Sequence, residues 1–238
     1  MEKTRISLGE YYLRMFFPPR CICCDTLLSI DTPREICDDC LENLPLLKRY
    51  EYHNPVGESV EEIFSAFDYE GGIRKAIHSL KFNDKPSNAA LLIRLSYPVL
   101  EKYLSEGNPL FPQMTKYDII IPVPIHSGRR RQRGYNQSEI LALCLARHMS
   151  IPMCGKVLVK KVNTPPQSTL DRRERFRNLA GAFQVKNTEL VRGKRILLVD
   201  DVMTTGSTLE QCGRVLLTSG AMRVDGFVVA IRRKMRIA

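Results

Sequence analysis

Two adjacent carboxylates, Asp200 and Asp201, close an apolar run, and a string of small hydroxyl residues follows them. In RILLVDDVMTTGSTL, residues 195–209, a strand is expected over Arg195 to Asp200 and a helix from about Ser207 to Leu217. Ligands of open α/β sheets bind beyond the carboxyl ends of strands. At that place Thr204, Thr205, Gly206, Ser207 and Thr208 would present consecutive backbone N–H groups and hydroxyls at a helix N-terminus, an arrangement suited to an anion. Gly206 lets the backbone approach a phosphate with no Cβ in the way. Two carboxylates cannot face that phosphate themselves. Their chemistry is to accept vicinal hydroxyls, such as a ribose diol, with help from a cation. The chain contains no GxxxxGK[ST] string, so this is not a Walker loop.

A second group is basic. Arg129, Arg130, Arg131 and Arg133 follow the apolar run DIIIPV of residues 118–123. Guanidinium forks pair bidentately with phosphate oxygens, which makes Arg129, Arg131 and Arg133 candidates for a pyrophosphate, with Lys81 as a further phosphate candidate. The same residues could also form an RNA-contacting patch or a solvated turn. A third group is sulfur. Cys21-x2-Cys24, twelve residues, then Cys37-x2-Cys40 is a four-thiolate zinc spacing. Each knuckle sets two sulfurs on one side of a tight turn, and two knuckles complete a tetrahedron with no open position. Zinc at Cys21, Cys24, Cys37 and Cys40 would therefore serve folding and docking, with redox work the lesser alternative. Cys23 lies between two ligands as a bystander, although an exchange with Cys24 is conceivable. His126 adjoins the basic segment, and Cys144, Cys154 and Cys212 read as buried structural cysteines.

These groups need elements to position them. Apolar spacing predicts a helix through Leu8, Tyr11, Tyr12, Met15 and Phe16 that stops at Pro18-Pro19. Ile63 to Tyr69 alternates like a strand, and helices are expected over Ile73 to Leu80, Asn88 to Leu104 and Gln137 to His148. Asp118 to Val123 is a buried strand by its β-branched content, with further strands at Val157 to Val159 and Val224 to Ile231. The basic stretch Ile125 to Gln137 and the segment Thr164 to Asn178 read as loops. Strands alternating with helices argue a mainly parallel α/β sheet. Residues 1–50 would form the cysteine module and residues 51–238 the larger domain, with 51–117 as its leading segment and 118–238 as its core sheet.

With 44% hydrophobic and 26% charged residues the chain has globular composition, which excludes wholesale disorder. No apolar run reaches membrane-spanning length, and the N-terminus lacks the pattern of a secretory leader, so a cytoplasmic chain without membrane insertion is expected. The net charge of +10 is uneven: residues 1–70 hold 7 Lys and Arg against 14 Asp and Glu, whereas residues 121–195 hold 16 against 4. That concentration suits phosphate or nucleic-acid partners.

The Asp pair with its hydroxyl loop is similar to the signature of phosphoribosyltransferases that use phosphoribosyl pyrophosphate (PRPP). Taken with the CxxC pairs, GGIRKAIHSLKF at residues 71–82 and the PVP and RGYNQS strings within residues 121–138, the chain resembles the ComF family of competence-associated, phosphoribosyltransferase-like proteins. The motifs occur in the family's order over essentially the whole length, and the extra Cys23 is the clearest departure. The resemblance implies a type I phosphoribosyltransferase-like fold, a mainly parallel sheet flanked by helices, with a small N-terminal zinc module. It implies PRPP bound with Mg²⁺, Asp200 and Asp201 on the ribose hydroxyls, and Thr204 to Thr208 on the 5′-phosphate. The segment 166–183 resembles the mobile catalytic loop of glutamine-dependent phosphoribosyltransferases. In that likeness Arg172, Arg173 and Arg177 would screen charge on departing pyrophosphate while the closed loop excludes water. The expected reaction is displacement of pyrophosphate at ribose C1 by a nitrogen nucleophile, with no residue that identifies the acceptor. The family likeness also implies DNA uptake, with single-stranded DNA and a helicase-type protein as partners. The alternative is a non-enzymatic factor that binds single-stranded nucleic acid or senses PRPP.

Overall fold

The structure, a computed structural model, describes residues 7–32, 34–47, 51–52, 57–82, 85–106, 117–162 and 181–232. In chain order its elements are α1 (Leu8–Phe16), α2 (Asp38–Glu42), β1 (Glu51–Tyr52), β2 (Ile63–Asp68), α3 (Gly71–Phe82), α4 (Asn88–Glu106), β3 (Ile119–Pro122), α5 (Ser127–Arg133), α6 (Gln137–Met149), β4 (Leu158–Lys160), β5 (Phe183–Val185), β6 (Arg195–Met203), α7 (Ser207–Thr218) and β7 (Arg223–Ile231). The main sheet has the spatial order β1-β2-β7-β6-β3. β2, β7, β6 and β3 run parallel to one another, and β1 adds an antiparallel strand at the β2 edge. β4 and β5 form a separate antiparallel pair.

β6 shows why the sheet is buried on both faces. Leu197 and Val199 belong to the core shared with α3, α4 and α6, whereas Ile196 and Leu198 belong to the core shared with α7 and the β4–β5 pair. This is the period-two alternation of a strand, with apolar residues needed on both sides because helices cover both. α6, which precedes β6, and α7, which follows it, thus pack on opposite faces. The carboxyl ends of parallel strands are where such sheets take ligands.

Two expectations need correction. β6 does not stop at Asp200 but runs to Met203, because Val202 and Met203 continue the ladder opposite Ala230 and Ile231. The basic stretch is not a loop: Ser127–Arg133 is a short helix, N-capped by His126, whose Nδ1 accepts from the Gly128 N–H at 3.2 Å. Gly134, at φ +82°, ends it. SGRRRQR carries no apolar period, so pattern alone could not reveal that helix. The two strand residues of β1 and the short β5 were also beyond sequence reading. The Thr164 to Asn178 segment lies outside the described residues. Among the described residues no helix is long and apolar enough to cross a membrane.

At the amino edge of the sheet, Asp225 is fully buried and accepts from Tyr117 Oη at 2.9 Å, from Arg223 Nε at 2.9 Å and from the Glu62 N–H at 3.2 Å. Arg223 in turn pairs with Glu61 and Glu62. A buried carboxylate is tolerated only with such donors. Tyr117→Phe is expected to cost about 1.5–3 kcal/mol, the usual worth of a hydrogen bond to a charged group. The urea midpoint measures it, and an unchanged midpoint would mean that Arg223 and the backbone suffice.

Candidate functional site

α3 begins three residues past β2 and ends at β6, so it crosses the carboxyl edge of the sheet. Its last turn brings Lys81 Nζ to 2.5 Å from Asp201 Oδ2. Asp201 is only 4% exposed, and its Oδ2 has no hydrogen-bond partner beyond this ion contact among the described residues. Burial pulls the Lys81 pKa down, but the Asp201 and Asp200 carboxylates outweigh that and hold it above the ordinary lysine value. Each Asp is also fixed by backbone: Asp200 Oδ1 accepts from the Asp201 N–H at 2.9 Å, and Asp201 Oδ1 accepts from the Val202 N–H at 2.8 Å.

The RGYNQS string turns out to be scaffolding for that pair. Asn136 caps α6 through Ser138 N–H and donates from Nδ2 to Val123 O at 3.0 Å, tying the helix to the end of β3. Ser138 Oγ then donates to Asp200 Oδ1 at 2.8 Å, and Tyr135 Oη donates to the Leu80 carbonyl beside Lys81. Sequence reading missed Tyr135, Asn136 and Ser138. The motif was visible, but nothing in it says that its polar residues point at two elements far away in the chain. Burial of Asp200, then repulsion from Asp201, pushes its carboxyl up to about 7, with Ser138 and Lys81 pulling the other way.

Beyond the pair, Gly206 adopts φ +77° and opens α7 with no side-chain cap. The helix N–H groups are therefore left for a ligand, as an anion site requires. Thr205 Oγ1 and Ser207 Oγ lie 3.0 Å apart, and residues 202–209 with Asp200 line a shallow depression. The structure thus brings together Asp200, Asp201, Lys81 and the Thr204 to Thr208 loop. On α5, Arg131 is exposed, Arg130 pairs with Glu139 at 3.0 Å, and Arg133 Nη1 donates to Gln137 Oε1 at 2.5 Å. Arg129 instead lies near Lys160 of β4, whose pKa is lowered by burial first and by Arg129 second. Lys160, also under the influence of Asp200, is a cation beside the site that its sequence context did not single out. Arg172, Arg173 and Arg177 lie outside the described residues.

The sulfurs of Cys21, Cys24, Cys37 and Cys40 all lie within 4.8 Å of one another, and Cys24 and Cys37 are 3.7 Å apart. Four sulfurs at about 2.3 Å from a tetrahedral zinc stand about 3.8 Å apart, so the cluster fits such an ion. The Cys37 N–H points to Cys21 Sγ and the Cys40 N–H to Cys37 Sγ, both at 3.5 Å. Hydrogen bonds from Thr26, hydroxyl before backbone, lower the Cys24 thiol to about 6. These four cysteines could hold a metal ion. Cys23 is not among them: it is 2% exposed and packs on α3, where a Cβ on Gly72 would come within 2.5 Å of the Cys23 Cβ. Of the two, it is Cys24 whose sulfur lies with those of Cys21, Cys37 and Cys40.

Residues 136–237 match the family model of the phosphoribosyl transferase domain. The chain is 35% identical over 166 residues to the DNA utilization protein YhgH of Salmonella typhi, covering 69% of this chain and 70% of that one. It is 30% identical over 210 residues to the protein of the same description from Escherichia coli (strain K12), covering 86% and 87%. It is 34% identical over 134 residues to the competence protein ComFC of Bacillus subtilis (strain 168), covering 55% and 52%. Among solved structures, the allosteric regulatory enzyme of purine biosynthesis aligns at 18% identity and a TM-score of 0.39, covering 63% of this chain and 29% of that one. The parallel sheet flanked by helices and the domain match define a phosphoribosyltransferase fold. The chain belongs to the ComF family of phosphoribosyltransferase-like proteins.

Proposed function

We propose that the chain binds PRPP with Mg²⁺ at the carboxyl end of β6 and transfers its phosphoribosyl group to a nitrogen acceptor. One observation carries this reading: the Asp200 and Asp201 carboxylates, held by Ser138 and Lys81, lie beside the uncapped N-terminus of α7. A ribose diol suits the carboxylates once Lys81 yields, and a 5′-phosphate suits the helix N-terminus. Asp200 and Asp201 accept the ribose hydroxyls, and Thr204 to Thr208 donate to the 5′-phosphate. Arg129, Arg131 and Arg133 pair with the pyrophosphate, and Arg172, Arg173 and Arg177 screen it as it leaves. The C1–oxygen bond breaks, a C1–nitrogen bond forms, and the acceptor's proton passes to solvent. Mg²⁺ bound with PRPP would supply charge neutralisation for the departing pyrophosphate. Cys21, Cys24, Cys37 and Cys40 would hold a zinc ion that ties the N-terminal module together. The names of the relatives support a role in DNA utilization and competence. For that role the proposed partners are single-stranded DNA and a helicase-type protein in the cytoplasm. The test is a pyrophosphate-release assay with PRPP across nucleobases, ammonia and amines. A second reading, a PRPP sensor without transfer, is favoured by the Lys81–Asp201 pair, which must open before a diol reaches Oδ2. Binding without release in every acceptor mixture decides for the sensor.

The raised carboxyl of Asp200 sets a pH dependence. An acid with a folded-state pKa of about 7 against 3.8 in the unfolded chain holds its proton more tightly when folded. Without ligand, its contribution to stability is present at low pH and is lost as pH rises towards 7. Ligand binding reverses the preference, because the ionised form accepts the diol better. The PRPP–Mg²⁺ thermal shift is expected to grow from about pH 6 to about pH 8 more in the wild type than in Asp200→Asn. Equal growth in both would mean that only the ligand titrates.

A further inference from the structure

A groove of about 740 Å³ lies between the cysteine knuckle of residues 21–25 and the exposed face of α3. Arg74, Lys75 and His78 line it from α3, Lys85 from the segment after α3, and Cys24 and Asp25 from the knuckle. Arg74 and Lys75 are exposed, and neither pairs with a carboxylate among the described residues. Lys85 Nζ is 3.9 Å from Asp25 Oδ1, the outer limit of an ion pair, and both are exposed to solvent. Three permanent cations therefore converge on a cleft with one carboxylate in its lining. Nothing in the packing of α3 requires these cations, since its apolar residues Ile73, Ala76, Ile77 and Leu80 face the core. No Phe, Tyr or Trp lines the cleft, so charge outweighs ring stacking in what it offers a ligand. Arg74 and His78 stand one turn apart, about 6 Å along the axis, a spacing that suits successive anionic groups better than a single compact one.

We propose that this groove is a second anion site that takes phosphate groups, separate from the site at Asp200 and Asp201 and independent of the reading given to it. A guanidinium with two ammonium groups in an open cleft recognises phosphate oxygens by charge and forked hydrogen bonds. A nucleic-acid strand and a free phosphorylated compound share that chemistry. The neighbouring thiolates supply a different reason for the cations, since four thiolates around a divalent metal carry net negative charge, and the test separates the two.

The probes are fluorescein-labelled oligothymidylate and inorganic triphosphate, added to the metal-loaded full chain. Wild type is compared with the double variant Arg74→Ser/Lys75→Ser and with Arg147→Ser, an exposed arginine on α6. Oligothymidylate anisotropy should show about tenfold weaker binding in the double variant, and the slope of log affinity against log salt should flatten by about 1.4, near 0.7 per lost phosphate contact. Arg147→Ser should move neither, and saturating PRPP–Mg²⁺ should leave the isotherm in place. If triphosphate binds the wild type, loses affinity in the double variant and oligothymidylate does not, the phosphate is a free one. Unchanged affinity of both probes in the double variant, displacement by PRPP–Mg²⁺ that disappears in Asp200→Asn/Asp201→Asn, or loss of bound metal from the double variant would each overturn the proposal.

Discussion

Replacing Asp200 and Asp201 together by Asn is expected to abolish the rise in melting temperature that PRPP with Mg²⁺ gives the wild-type chain. A ligand that binds only the native state stabilises it by mass action, about 2.7 kcal/mol at one hundred times its Kd. The amides keep the size of the carboxylates but lose charge-assisted acceptance, about 1.5–3 kcal/mol for each hydrogen bond. Losing two such bonds weakens binding by more than a hundredfold, enough to remove the shift at any practical concentration. The double variant also leaves the Lys81 ammonium, whose side chain is only 22% exposed, facing two amides. Its unliganded stability will fall as well, so the ligand-dependent difference is the quantity to compare. Ser138→Ala, which only orients Asp200, should keep a reduced shift. A full shift in the double Asn variant would remove the Asp pair from the ribose.

The second large effect concerns sulfur. Cys37→Ser with Cys40→Ser should reduce metal, by elemental analysis of untagged protein, from about one zinc per chain to near none. Metal binding in such small modules is folding free energy, so the melting temperature and the solubility of the double variant should both drop. Cys37 also caps α2, which adds to the loss. Cys23→Ser should keep the metal, because its sulfur lies outside the cluster, while placing a hydroxyl in a buried contact with α3. Zinc retained after loss of both Cys37 and Cys40 would dismiss the four-thiolate site.

What the sequence disclosed and what it withheld divide along chain distance. Asp200, Asp201 and the hydroxyl loop are neighbours in sequence, and a strand followed by a helix fixes their relation locally, so residue order was enough. The cysteine spacing was likewise sufficient, as each knuckle is a local turn. Lys81 is different. Its meeting with Asp201 joins residues 120 apart and depends on α3 crossing the sheet edge, which no periodicity encodes. Ser138 and Tyr135 escaped for the same reason. The α5 helix escaped because its cap and its terminating Gly134, rather than an apolar face, define it.

The contact between Cys23 and Gly72 lies at one end of α3, and Lys81 lies at the other. A helix of this length is a stiff rod of roughly 18 Å, so a tilt of about 5° at the cysteine end would carry the lysine end by roughly 1.5 Å. That is enough to open an ion contact of 2.5 Å. The knuckle thus acts as the fulcrum of a lever whose far arm is the ammonium beside the two aspartates, and loosening the fulcrum would be felt there without any change in the aspartates themselves.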